Sequence, residues 1–181
     1  EITTLPGAGT LTNNGVAVTA GQFVSASDIS SGLLVFTPAA NAHGTGYAGF
    51  TFQVQDDDGT ANGGVDVDPT PRTMTVNVTS VNDAPQGTSQ TVTTLEDTAY
   101  VFTTADFGFS DPNDTPANAL LAVEITTLPG AGTLTNNGVA VTAGQFVSAS
   151  DISSGKLAIT PAANANGAGY ASFTFQVQDD G

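Results

Sequence analysis

The sequence predicts an all-β chain of antiparallel β-sandwich units repeated in tandem, and three observations carry that prediction. Residues Glu1–Asp58 recur at Glu124–Gly181 with an offset of 123 and identity at 51 of the 58 aligned positions, so the repeating unit is about the size of one domain. Helix signals are nearly absent, while 21 glycines and nine prolines separate short stretches rich in threonine and valine, residues suited to a pleated, half-buried surface. Several of those stretches alternate apolar and polar residues, which is the side-chain period of a strand.

Taken along the chain, the elements are as follows. In Phe50-Thr51-Phe52-Gln53-Val54-Gln55, the residues Phe50, Phe52 and Val54 share one face. Thr73–Thr79 alternates in the same way through Met74, Val76 and Val78. Shorter strands are predicted at Gln90–Thr94, Ala99–Thr103, Leu120–Thr126, Gly132–Thr135, Val139–Val141, Gln145–Ser148 and Lys156–Thr160, and Phe107-Gly108-Phe109 reads as a strand end. Turn signals separate them at Pro129-Gly130, Asn136-Asn137-Gly138 and Asn166-Gly167, the second being a hairpin cue. Ser150-Asp151-Ile152 predicts one helical turn capped by Ser or Asp, and Asp28 and Asp151 read as caps. Seven to nine short strands per unit at regular spacing point to an immunoglobulin-like sandwich.

Val81-Asn82-Asp83-Ala84-Pro85 ends an alternating strand with a proline that blocks its continuation. The boundary therefore places residues 1–82 in the later part of one unit and 83–181 in the earlier part of the next, as if the chain were a window cut from a longer array. Without a counterpart of Thr73–Thr79, the strand Phe173–Val177 is expected to present an unpaired edge. That edge would be filled by strand exchange between molecules or by strands beyond the given sequence.

Seventeen carboxylates face two bases, Arg72 and Lys156, for a formal charge of −15. Such a surface excludes nucleic acid and is repelled by anionic membranes. No apolar run approaches the roughly 18 residues of a spanning helix, so no membrane insertion is expected. With no cysteine, disulfides, thiol nucleophiles and thiolate metal sites are excluded, and a secreted fold must rely on its core, on metal or on both. The absence of cysteine and the near absence of lysine suit an extracellular bacterial protein.

Twelve of the seventeen carboxylates fall in five places: Asp83 beside Asn82; Glu96-Asp97; Asp111 and Asp114 in Asp111-Pro112-Asn113-Asp114; Asp56-Asp57-Asp58 with the repeated Asp179-Asp180; and Asp66 with Asp68. Grouping of this kind suits Ca²⁺, a hard cation that takes six to eight oxygens from converging loops. The competing reading is a set of acidic turns, since Asp-Pro, Asn-Asp and Asp-Gly are ordinary turn formers. Asp66-Val67-Asp68 reads as a solvated loop.

These motifs resemble the closing half of a cadherin repeat, in which a strand ends in an Asp-Gly turn and a final strand runs into an Asn-Asp linker before proline. Here those pieces are Val54–Gly59 and Val81–Pro85. More closely, the chain is similar to the cadherin-like tandem repeats of giant RTX-type, type I-secreted bacterial surface adhesins. It shares their VNDAP, EDT, SDP and DDG elements and a G-x-x-x-F-x-F-x-V-x-D stretch ending at Asp179. The resemblance covers essentially the whole chain and implies Ca²⁺ at junctions between units, with Asn82, Asp83, Glu96, Asp111, Asn113 and one or more of Asp56–Asp58 as ligands. Asp97, Asp114, Asp179 and Asp180 join the candidate metal set as members of the same acidic groups. One departure is Ser80, which stands where cadherin linkers carry an additional Asp and implies fewer or weaker ions.

The case for an enzyme is thin. The single histidine, His43, is Asn166 in the other copy, and Leu33 is Lys156, an exchange comfortable only on the surface. No nucleophile motif or phosphate-binding glycine loop is present; Gly7-Ala8-Gly9 precedes a strand and lacks the following helix. The expectation is a non-enzymatic, calcium-rigidified extender of a surface adhesin, acting in cell adhesion or biofilm with neighbouring repeats as its partners. The alternatives are a strand-exchanging subunit of a fibre or surface layer, and a glycan- or protein-binding sandwich module. The last would need an exposed aromatic cluster, and the chain has three tyrosines and no tryptophan.

Overall fold

The structure, a computed structural model, describes all residues from Glu1 to Gly181. It is all-β and antiparallel, and it divides into two compact units, Glu1–Val81 and Asn82–Gly181. The division falls one residue before the boundary set by the Asn82-Asp83-Ala84-Pro85 signal. No helix is long and apolar enough to cross a membrane.

The first unit contains β1 (Ile2–Thr4), β2 (Thr10–Asn13), β3 (Val16–Ala17), α1 (Ala26–Ser30), β4 (Leu34–Thr37), β5 (Gly44–Phe52) and β6 (Arg72–Val78). They form two three-stranded sheets, ordered β1-β5-β6 and β3-β2-β4. Ile2, Leu11, Val18 and Phe50 make the core. The strand expected over Phe50–Gln55 begins earlier, at Gly44, and ends at Phe52. Antiparallel pairing with β6 sets that extent, with Ala48 opposite Val76, Thr51 opposite Thr73 and Phe52 opposite Arg72.

The second unit contains β7 (Tyr100–Val101), a 3-10 turn at Thr104–Phe107, β8 (Leu120–Ile125), β9 (Thr133–Asn136), β10 (Val139–Ala140), β11 (Gln145–Ser148), α2 (Ala149–Ser153), β12 (Leu157–Thr160) and β13 (Phe175–Asp179). Its sheets are ordered β10-β9-β12-β7 and β11-β8-β13. Both contribute to one core, in which Val123, Ile125 and Val147 from one sheet meet Leu134 and Leu157 from the other, with Phe102, Phe107 and Ile152.

Local chemistry explains the turns. The Asn137-Gly138 loop joins β9 to β10 with Asn136 opposite Val139, and both loop residues have positive φ, at 51° and 77°. A two-residue hairpin of this kind demands that backbone, and Asn-Gly tolerates it. Ser148 caps α2 by accepting from the Asp151 amide at 3.1 Å, as Ser25 caps α1 through Asp28 at 3.0 Å. The capping oxygen is therefore the serine's in both helices. Asp28 and Asp151 sit in the first turn and accept from Asn13 and Asn136 instead.

Two expectations from periodicity are corrected. Gln90–Thr94 is not a strand: Val92 packs against the core, but the segment forms no ladder. Phe107-Gly108-Phe109 closes a 3-10 turn, with Gly108 left-handed at φ 53°. Ala99–Thr103 shortens to β7.

The repeat exposes what tertiary context adds. Ile152 is 1% exposed, while its counterpart Ile29, in the same Ala-Ser-Asp-Ile-Ser helix, is 54% exposed. In the second unit α2 packs against β8, β11 and the Thr104–Phe107 turn. In the first unit α1 makes no comparable packing against another element, and Ile29 stays exposed.

Candidate functional site

The second unit buries three carboxylates: Asp111, Asp114 and Asp179, at 7%, 9% and 7% exposure. Three chain segments bring them to one end of that unit. Asn82-Asp83 enters it, Asp111–Ala119 leads into β8, and Asp179-Asp180-Gly181 leaves β13, which pairs with β8. Asn82 Nδ2 donates to Asp179 Oδ1 at 3.2 Å, and the Asp83 amide donates to Asp114 Oδ2 at 2.9 Å. Within the loop, the Asn118 amide donates to Asp111 Oδ2 at 2.5 Å. Ala119 and Asp180 exchange two bonds: the Ala119 amide to Asp180 Oδ1 at 2.7 Å, and the Asp180 amide to the Ala119 carbonyl at 3.1 Å. With its amide oriented to satisfy both neighbours, Asn118 donates to Asp111 Oδ2 and accepts from the Gly181 amide. Gly181 belongs here sterically, because a Cβ would collide with the side-chain amides of Asn82 and Asn118.

Two oxygens of this cluster have no partner: Asp111 Oδ1 and Asp179 Oδ2 are buried without a hydrogen bond. Buried carboxylates ordinarily carry a compensating cation or a full set of donors. The protein supplies no such cation here. Its two bases are engaged elsewhere, Arg72 with Asp68 at 3.1 Å and Lys156 with Asp151 at 2.7 Å. The donors of the cluster are all amides, from main chain or asparagine. At the same time, no three acidic or imidazole side chains are gathered in the form that holds a metal ion. A cation ligated here would thus draw on asparagine and main-chain oxygens beside the carboxylates, a mixed oxygen set of the kind that suits Ca²⁺.

The other predicted ligands lie apart from this cluster or make no bond within it. Asn113 is half-buried between Asp111 and Asp114. Glu96 and Asp97 hold a different loop: Asn166 Nδ2 donates to Glu96 Oε2 at 2.8 Å and the Asn164 amide to Asp97 Oδ1 at 2.8 Å. Asp56, Asp57 and Asp58 are exposed in the first unit, where the Asp58 amide donates to Asp56 Oδ1 at 3.2 Å. Asp56 is the repeat counterpart of Asp179, so the burial of Asp179 derives from Asn82 and the 111–119 loop and not from its own sequence. Asn118 and the amides of Ala119 and Gly181 were missed, and the only signal for Asn118 was its place in the same polar loop, seven residues after Asp111.

Three groups are shifted from their ordinary titration. The Lys156 ammonium, then the Asn136 amide, hold the Asp151 carboxyl below the usual carboxylate range. The Thr70 amide, then Arg72, do the same for Asp68. Burial, then the neighbouring Asp106 carboxylate, raise the Tyr100 phenol. None of the three lies in the carboxylate cluster.

Comparison with protein-family models, with curated proteins and with solved structures found no match to this chain.

Proposed function

We propose that the chain is an extender segment of a bacterial surface adhesin, built from immunoglobulin- and cadherin-like β-sandwich repeats that Ca²⁺ stiffens outside the cell. One observation carries the reading: Asp111 and Asp179 keep buried, unpartnered oxygens beside buried Asp114, with both basic residues engaged elsewhere. Asp111 and Asp179 would offer the ion their unpartnered oxygens, beside Asn82, Asp83 and Asn118, whose amides already order the cluster's carboxylates. When bound, the ion supplies the positive charge that the cluster lacks. Asn82 and Asp83 begin the second unit and follow Val81 directly, so ordering them restrains the connection between successive units. The role is mechanical: a calcium-dependent array projects an adhesive module from the surface.

Extracellular modules bind Ca²⁺ with dissociation constants on the order of 10⁻⁴–10⁻³ M. At 10 mM Ca²⁺ that range stabilises the ion-binding unit by about 1.4–2.7 kcal/mol. Scanning calorimetry of the whole chain should show a transition whose Tm rises with millimolar Ca²⁺ and falls back with chelator. An unchanged Tm in both would sink the calcium reading.

A further inference from the structure

Asparagine precedes glycine at four places in the chain: Asn14, Asn62, Asn137 and Asn166. Two of these bonds, Asn14-Gly15 and Asn137-Gly138, form the tips of the β2–β3 and β9–β10 hairpins. The tips are alike in both units, although the segments around them differ. Asn and Gly are exposed in each, with φ of 49° and 75° in the first and 51° and 77° in the second. Their exposure therefore belongs to the hairpin itself.

Each tip holds the parts of an intramolecular reaction. No hydrogen bond fixes the side-chain amide of Asn14 or Asn137, in contrast to Asn13 and Asn136, which donate to Asp28 at 2.8 Å and to Asp151 at 3.1 Å. The main chain is anchored on the asparagine side alone, by the Asn14 amide to the Leu33 carbonyl and the Asn137 amide to the Lys156 carbonyl, both at 2.9 Å. The Gly15 and Gly138 amides donate to no other group. A Cβ built on either glycine would meet nothing within 4 Å, so the glycine nitrogen can be approached without displacing a neighbour.

We propose that Asn14 and Asn137 are self-modification sites, at which the hairpin tip converts without any enzyme to aspartate and isoaspartate. The Gly138 main-chain nitrogen bonds to the carbonyl carbon of the Asn137 side chain. The side-chain nitrogen leaves as ammonia, carrying the proton that the glycine nitrogen gives up. Water then opens the five-membered imide at one of its two carbonyls. Opening at one gives aspartate, which keeps the loop two residues long and tolerates the left-handed backbone. Opening at the other gives isoaspartate, whose extra main-chain methylene lengthens a loop that sets the strand register. Either product adds a carboxylate to a chain whose formal charge is already −15.

Asn166-Gly167 is the internal control. It is the same dipeptide, but the Asn166 side-chain amide donates to Glu96 Oε2 at 2.8 Å, a bond that must break before the side chain can turn onto Gly167.

The whole chain is incubated at mildly alkaline pH in isotopically labelled water, folded and in urea. Trypsin then cuts after Arg72 and Lys156, which places Asn14, Asn137 and Asn166 in three different peptides. Tandem mass spectrometry reads the label at each asparagine, and electron-transfer fragmentation separates isoaspartate from aspartate. In the folded chain Asn14 and Asn137 should convert at similar rates, both at least fivefold faster than Asn166. That gap should close in urea, where all three dipeptides are free. Glu96→Ala should speed Asn166 in the folded chain and leave Asn137 unchanged. Conversion of Asn137 no faster than that of Asn166 in the folded chain, or conversion of Asn137 in urea alone, would overturn the inference.

Discussion

Replacing Ile152 and Ile29 by alanine, one at a time, separates tertiary context from sequence. The two residues lie in identical five-residue helices, but Ile152 is 1% exposed and Ile29 54%. Ile152→Ala removes three carbon groups from a closed environment between α2, β8, β11 and the Thr104–Phe107 turn. At about 0.8 kcal/mol per group the transfer loss is about 2.4 kcal/mol. The cavity left among rigid neighbours brings the total to about 3–4 kcal/mol, inside the usual range for such truncations. Ile29→Ala loses less than half of that transfer free energy, about 1 kcal/mol, and leaves no enclosed cavity. The expected difference is about 2–3 kcal/mol, which in a unit of this size moves Tm by roughly 10 °C or more. Hydrogen exchange read by mass spectrometry across a urea series measures each unit separately, using peptides from 99–123 for the second unit and 60–81 for the first, since neither region is duplicated. Equal costs within about 0.5 kcal/mol would refute the argument that the 99–107 segment covers Ile152.

Two further outcomes follow from the carboxylates. Asp111→Asn removes a buried charge with an unpartnered oxygen and keeps an acceptor for the Asn118 amide, so Tm in chelator should hold or rise while the response to Ca²⁺ is lost; a fall of several degrees with that response intact would contradict the assignment. Asp151, whose folded pKa is depressed by Lys156, contributes stability that is fully present above its unfolded value of about 3.9 and is lost as pH falls through the folded value. Acid unfolding of the second unit below about pH 4 should therefore be less steep in Asp151→Asn than in the parent chain, and identical acid profiles would count against the pair.

Much of the local structure was legible because it depends on neighbours in sequence. Asn-Asn-Gly needs no distant partner to form its hairpin, and Ser148 reaches the Asp151 amide within one turn. The Leu33/Lys156 exchange marked a surface position, and Lys156 is exposed beside Asp151. Of the acidic groups, Asp83, Asp111, Asp114 and Asp179-Asp180 meet, and they do so through three segments separated by up to 97 residues. Glu96 and Asp97 looked equally suitable as ligands, yet the fold turns them to Asn166 and Asn164. Composition carries no information on which loop an acidic pair will face.

By itself, the sequence determined an antiparallel all-β chain, its 123-residue period, its hairpin turns and helix caps, and its lack of compensating positive charge. Each of these follows from local backbone preference or from simple counting. The tertiary structure alone decided which copy of a repeated residue is buried. Ile152 and Asp179 share their sequence surroundings with Ile29 and Asp56. They differ because in the second unit α2 packs against β8, β11 and the Thr104–Phe107 turn, and Asn82 bonds to Asp179. Burial belongs to what lies opposite a residue in space, and two identical five-residue helices are therefore covered in one unit and exposed in the other.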